Sequence, residues 1–162
     1  MKRLVLLAAA GAVALAVAIA ALAAGNGEKA LRSTLAPSVP TDPAFHAVLP
    51  GSAPWMLSRG EVRIKDDGEF DLEVQGLVIP SLGTPGPVTA IAASLFCGPD
   101  TNTAPVFTTN EAPLSSSGDA TISQDVVLPS TCLAPIVVVN PDAPSLGGLF
   151  TNRYIAITGW KS

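Results

Sequence analysis

The stretch 61–79, EVRIKDDGEFDLEVQGLVI, decides the fold because apolar and polar residues alternate on both sides of a turn. Positions 70, 72 and 74 are apolar and positions 69, 71, 73 and 75 are polar or charged, and positions 61–65 alternate in the same way. A period of two is that of a strand with one face in the core and one in water. The sequence therefore predicts two strands joined at Asp66-Asp67-Gly68.

The phase of the two runs selects the length of this turn. A two-residue Asp67-Gly68 loop would place Lys65 opposite Phe70 and bring a charge onto the apolar face. A three-residue loop pairs Ile64 with Phe70 instead, so we predict that loop, with Gly68 in the left-handed conformation.

The same register predicts which charged side chains face each other on the wet side of the hairpin. Lys65 lies against Glu69, an attractive cross-strand pair, and Arg63 lies against Asp71 in the same way. Glu61 opposite Glu73 is the one like-charge pair. We interpret these side chains as a solvent-exposed face. A pair of catalytic carboxylates would instead have to come together across the fold.

Outside the hairpin, short apolar runs are separated by Pro, Gly, Ser and Asp, and no segment has the period of a long amphipathic helix. Five further strands are predicted, over 88–97, 105–109, 120–128, 134–139 and 153–160. The run 136–139, IVVV, is apolar on both faces, so it should lie centrally or under a covering loop. Residues 80–87 and 140–148 are predicted as exposed loops, the best candidates for contact with another molecule.

This pattern predicts an all-β fold, namely an antiparallel β-sandwich of immunoglobulin-like architecture. We assign the sandwich to residues 44–162 and a flexible spacer to residues 25–43. Of the 162 residues, 138 follow position 24, which suits one domain with a single core.

Residues 1–24 have the form of a secretory signal peptide. Lys2 and Arg3 precede an apolar run from position 4 to position 24, which ends in the small residues Ala21-Leu22-Ala23-Ala24. We therefore expect a secreted, extracellular protein. An uncleaved hydrophobic helix is the alternative, since about 20 apolar residues can span a bilayer, and the protein would then be anchored to the membrane by this segment alone.

Cys97 and Cys132 are the two cysteines of the chain. An even number of cysteines in an exported protein predicts a disulfide, and two separate buried thiols are the alternative. After position 24 the formal charge is −6, from 7 basic and 13 acidic side chains, so a nucleic-acid partner is not expected.

The residues predict neither a catalytic site nor a metal or cofactor site. His46 is the only histidine, no Gly-x-Ser-x-Gly elbow is present, and one histidine with two paired cysteines cannot build a zinc or copper site. The aspartates in predicted turns lack the spacing of a calcium loop, so we interpret them as ordinary β-turn residues.

The aromatic residues Trp55, Tyr154 and Trp160, with Phe150, are candidates for a ligand-binding platform. Packing in the core or at its rim is the alternative interpretation.

Strand and turn motifs carry a resemblance over residues 47–160. They are GEVRI (60–64), GEFDLEVQGL (68–77), GPV (86–88), Cys97, GDA (118–120), LP (128–129), Cys132 and YIAITG (154–159). With these motifs the chain resembles a group of small secreted actinobacterial-type proteins of unknown function, which has no established active residues to carry over. We expect an exported, non-enzymatic β-sandwich module that binds an envelope or extracellular partner or has a structural role at the cell envelope. The alternative is a secreted hydrolase of unrecognised type.

Overall fold

A computed structural model describes residues 29–161 of the chain. In this part the chain forms twelve β-strands and one short 3₁₀ turn, and no α-helix. The strands are β1 Lys29–Pro37, β2 Leu49–Pro50, β3 Arg59–Lys65, β4 Glu69–Gln75, β5 Ala90–Phe96, β6 Phe107–Thr108, β7 Ala112–Pro113, β8 Ala120–Asp125, β9 Ile136–Ala143, β10 Gly148–Leu149, β11 Arg153–Tyr154 and β12 Ala156–Thr158. A search of the same residues for a helix able to cross a membrane finds none. The predicted signal segment lies outside them.

The hairpin of β3 and β4 has the predicted register. Ile64 pairs with Phe70 and Val62 with Leu72, so the apolar positions of both strands share one buried face. Gly68 has a φ of 97°, the left-handed conformation required by a three-residue loop. The Nζ of Lys65 lies 2.5 Å from Oε2 of Glu69, as the register predicts.

Ten strands form one curled antiparallel sheet, in the order β6-β5-β9-β12-β1-β3-β4-β8, with β7 paired to β5 and β10 to β9. The two ends of this order approach each other, as shown by the contact between β7 and β8. In the same region the backbone N–H of Asn110 donates to Oε1 of Gln124 at 3.0 Å. The short strands β2 and β11 form a separate parallel pair. The predicted all-β antiparallel fold is thereby confirmed.

Strand β1 corrects the prediction of a spacer over residues 25–43. Its first part pairs with β3 and its last part with β12, so it lies in the middle of the sheet. Leu31 packs against the core and Leu35 is buried in it, but Ser33 occupies the inward position between them and breaks the apolar alternation. Residues 25–28 of the predicted spacer lie outside the described residues.

The main core lies inside the curled sheet, and a smaller one lies on the outer face of β9. Strand β9 runs between β5 and β12, and its residue Val138 packs with Phe96, Val48 and Tyr154 on that outer face. The segment 43–48 covers the outer face, so the IVVV run is both central and covered, as predicted. However, β9 continues to Ala143, and the loop predicted over 140–148 begins only at position 144.

Cys97 and Cys132 form the predicted disulfide, with their Cα atoms 5.1 Å apart. The bridge joins the end of β5 to the segment that leads into β9. It therefore marks one end of the sheet, the disulfide end. At the opposite end β5 begins and β9 ends.

Candidate binding groove

An apolar groove of about 290 Å³ lies at the end of the sheet opposite the disulfide. Three parts of the chain line it: residues 51–55 after β2, the loop around positions 79–88, and the stretch from the end of β9 to Ile155. We call it the Trp55 groove. The two loops predicted as contact loops thus meet at one concave surface. Concave, largely apolar surfaces with few polar groups are where small ligands bind.

Turns with glycine hold the two loops beside the groove. In the loop 79–88, the backbone N–H of Ile79 donates to the carbonyl of Thr84 at 3.0 Å, which folds the loop back on itself. After β9, a 3₁₀ turn over Pro144–Leu146 ends at Gly147, whose φ of 119° is accessible to glycine. The two turns present Leu82 and Leu146 to solvent, with 58% and 63% of their surface exposed. Leu146 lines the groove itself.

Trp55 is a buried wall of the groove, and its position is fixed by the backbone. Its N–H donates to the carbonyl of Ser38 at 2.8 Å, next to the end of β1. Gly51, which lies between β2 and Trp55, leaves the edge of the indole open, because a Cβ there would lie 3.0 Å from Nε1 of Trp55.

Among the described residues, Arg153 is the one charged side chain that lines the groove. Its Nη1 donates to the carbonyl of Pro50 at 3.1 Å, across the parallel pair of β2 and β11. The buried amide of Asn140 donates to the carbonyl of Arg153 at 2.7 Å, so β11 is also held from the β9 side. The guanidinium is therefore held by β2, and the backbone that carries it is held by β9.

The predicted aromatic platform is not formed, since only Trp55 and Phe150 line the groove. Tyr154 is buried in the smaller core, and its hydroxyl donates to the carbonyl of Pro43 at 2.8 Å. Burial, and secondarily the charge of Asp42, raises the pKa of Tyr154 to about 12. Trp160 is 86% exposed and is not part of the groove lining. Successive residues of an extended chain point to opposite faces, which separates Tyr154 from the groove-lining Arg153 and Ile155.

His46 is buried and acts in packing. Its ring stacks on Phe96 with 4.9 Å between centroids, and Nδ1 lies 2.8 Å from the carbonyl oxygen of Asn102. The backbone N–H of His46 donates to the carboxylate of Asp100. Among residues 29–161, neither a serine nor a carboxylate side chain hydrogen-bonds to the imidazole. The same residues contain no cluster of three or more His, Cys, Asp or Glu side chains able to hold a metal ion.

Sequence reasoning did not identify Gly51 and Arg153 as groove residues. A signal for Arg153 exists, because Asp142 and Arg153 are the only charged residues between positions 126 and 160. A lone cation in such an apolar stretch can mark a functional position. Gly51 carries no comparable signal, since its role depends on contact with Trp55.

Comparison of the chain with protein-family profiles, with curated proteins and with solved structures gives no significant match.

Proposed function

We propose that this protein is an exported, non-enzymatic binding module that acts at the cell envelope or outside the cell and takes its ligand in the Trp55 groove. The observation that carries the proposal is the convergence of two exposed loops on an apolar groove. Leu82 and Leu146 expose apolar side chains on these loops, so a ligand that covered them would remove apolar surface from water.

The export part of the proposal rests on two features. Residues 1–24 have the charge and hydropathy of a signal peptide, and the Cys97–Cys132 disulfide suits an oxidising compartment. N-terminal sequencing of the protein recovered from the culture medium tests this part. A chain that begins near position 25 would support secretion, and a membrane-bound chain that still begins at Met1 would support the anchored alternative.

Within the proposal, the architecture is that of a β-sandwich of immunoglobulin-like type. The curled sheet brings β7 beside β8, and the inward residues of β3, β4, β5 and β9 contribute to one core. Loops at one end of such a scaffold commonly form a binding surface.

The secreted hydrolase is less well supported. A hydrolase of the serine type needs a base that is hydrogen-bonded to its nucleophile, and His46 instead lies against the Asn102 carbonyl. Within residues 29–161, the groove lining contains Arg153 and Ser52 but no carboxylate or histidine.

Binding of a neutral apolar dye, Nile red, tests the proposed groove. We expect Leu146→Asp to weaken dye binding at least tenfold, because it brings a charge to the groove lining. Val127→Asp is the matched control, since Val127 is 88% exposed and lies beside the hairpin turn. The N–H of the adjacent Val126 donates to the carbonyl of Gly68 in that turn. Equal loss in the two variants, or no binding by the unchanged protein, would reject the Trp55 groove as the site.

A further inference from the structure

Arg153 differs from the other basic side chains that the structure describes. The side chains of Arg32, Arg59, Arg63, Lys65 and Lys161 each pair with a carboxylate. Arg153 forms no ion pair with the described residues, and its bond to Pro50 is its one side-chain hydrogen bond among them. A guanidinium has five N–H donors in a planar fork that matches a carboxylate. The groove therefore offers an anion-binding group on an otherwise apolar wall.

The groove walls suit an alkyl chain better than a peptide, because most of their backbone N–H donors are already in use. The N–H groups of seven lining residues donate to carbonyls within the protein: Gly51, Trp55, Ile79, Val88, Phe150, Arg153 and Ile155. Pro87 and Pro141 have no N–H to offer. A peptide would bury amide groups without partners, which costs free energy, whereas an alkyl chain has no polar groups to satisfy.

The size of the groove limits the length of such a chain. Its volume of about 290 Å³ equals that of roughly ten water molecules at about 30 Å³ each. A chain of medium length fits this space, with its methylene groups against Trp55 and Phe150.

We infer that the Trp55 groove binds a medium-chain fatty acid, whose carboxylate pairs with Arg153. This inference rests on the proposed binding function and adds the chemistry of the ligand. The carboxylate lies at the β11 side of the groove, where Arg153 is held, and the alkyl chain lies along Trp55.

Titration of the full exported protein with decanoate and with decanol at pH 8 tests the inference. Trp160→Phe is introduced first, so that Trp55 is the only tryptophan and its fluorescence reports on the groove. We expect decanoate to bind at least tenfold more tightly than decanol, because a charge-assisted bidentate contact forms only with the carboxylate. Added salt should reduce this preference.

Variants of Arg153 separate the carboxylate contact from the apolar contact. Arg153→Gln should reduce the affinity for decanoate to that for decanol and leave decanol binding unchanged, and Arg153→Lys should retain part of the preference. Arg59→Gln is the control, since Arg59 is exposed on β3 and is not one of the groove-lining residues. Unchanged thermal unfolding of each variant shows that the fold is intact.

The outcomes distinguish the ligand chemistry from the binding function. Equal binding of decanoate and decanol, insensitive to Arg153→Gln, would overturn the carboxylate contact and leave the groove as a binding site. If neither compound bound while Nile red did, the acyl ligand would be rejected and the proposed function would stand. Tighter binding of acetyl-trileucine, which has a free carboxylate, than of decanoate would assign the groove to peptides and overturn the inference.

Discussion

Glu61 lies directly opposite Glu73 across β3 and β4, although both side chains are acidic. The pair is tolerated because arginines surround Glu61: Nε of Arg32 lies 2.6 Å and Nε of Arg63 lies 3.0 Å from its Oε1. Hydrogen bonds from Arg63 and then Arg32 lower the pKa of Glu61 to about 2. The network also connects β1 to the hairpin, since Arg32 lies on β1.

Glu61→Gln should remove a pH-dependent part of the free energy of unfolding. The pKa of Glu61 is about 2 in the folded protein and 4.5 as its ordinary value, so ionised Glu61 stabilises the fold above pH 4.5. This contribution is lost as the pH falls from 4.5 through 2. Urea unfolding between pH 2 and 7 should show the largest difference from the unchanged protein near neutrality and the smallest near pH 2. Glu73→Gln is the control, and a Glu61→Gln protein of unchanged stability at pH 7 would contradict the prediction.

Gly118→Ala should destabilise the fold much more than Gly83→Ala. Both glycines have positive φ, 83° and 67°, which costs an alanine about 1–2 kcal/mol. A Cβ at Gly118 would in addition overlap the backbone of Leu77, whereas at Gly83 no atom lies within 4 Å. Urea unfolding measures the difference between the variants. Equal losses would mean that backbone conformation alone governs both positions.

Phe70→Ala should lower the free energy of unfolding by about 3–5 kcal/mol, the usual cost for a buried phenylalanine. Phe70 is fully buried and packs edge-to-face against Phe107, with 5.5 Å between ring centroids. Phe70→Leu should cost less, because it leaves a smaller cavity. Denaturant unfolding of both variants checks the order. A loss below about 1 kcal/mol for Phe70→Ala would argue against this packing.

Removal of the disulfide, in the variant with Cys97→Ala and Cys132→Ala, should cost about 4 kcal/mol by the chain-entropy argument. The cysteines are 35 residues apart in sequence, and the bridge restricts the unfolded chain. Urea unfolding of the double variant measures the loss. Thiol titration of the denatured, unreduced protein should detect no free thiol in the unchanged chain. Two titrating thiols would contradict the pairing.

The hairpin was predictable from the sequence because its alternation, its turn and its register are all local. Strand β1 was not, since Ser33 interrupts its inward positions and its partners lie in β3 and β12, far along the chain. The extent of β9 was underestimated for a related reason. Pro141 suggests a loop, but its carbonyl accepts from the N–H of Phe150, so the N and O atoms of Pro141 face β10 and not β5. The missing N–H therefore breaks no hydrogen bond between β9 and β5.

The candidate site was predictable only in part. The loop 79–88, the segment after β9 and Trp55 could be identified from composition and residue type. Their meeting depends on pairing between distant strands, such as β2 with β11, which no local pattern reveals. The pairing of β2 with β11 also places Tyr154 in the smaller core and Arg153 at the groove.

The central position of β1 has a consequence for the order in which the chain can fold. The hydroxyl of Thr34 on β1 donates to the carbonyl of Gly159, which is 125 residues further along the chain. Strand β1 therefore cannot complete its contacts during synthesis until β12 has emerged. Such long-range closure slows folding, so the sheet should close only after nearly all of the described chain has been synthesised.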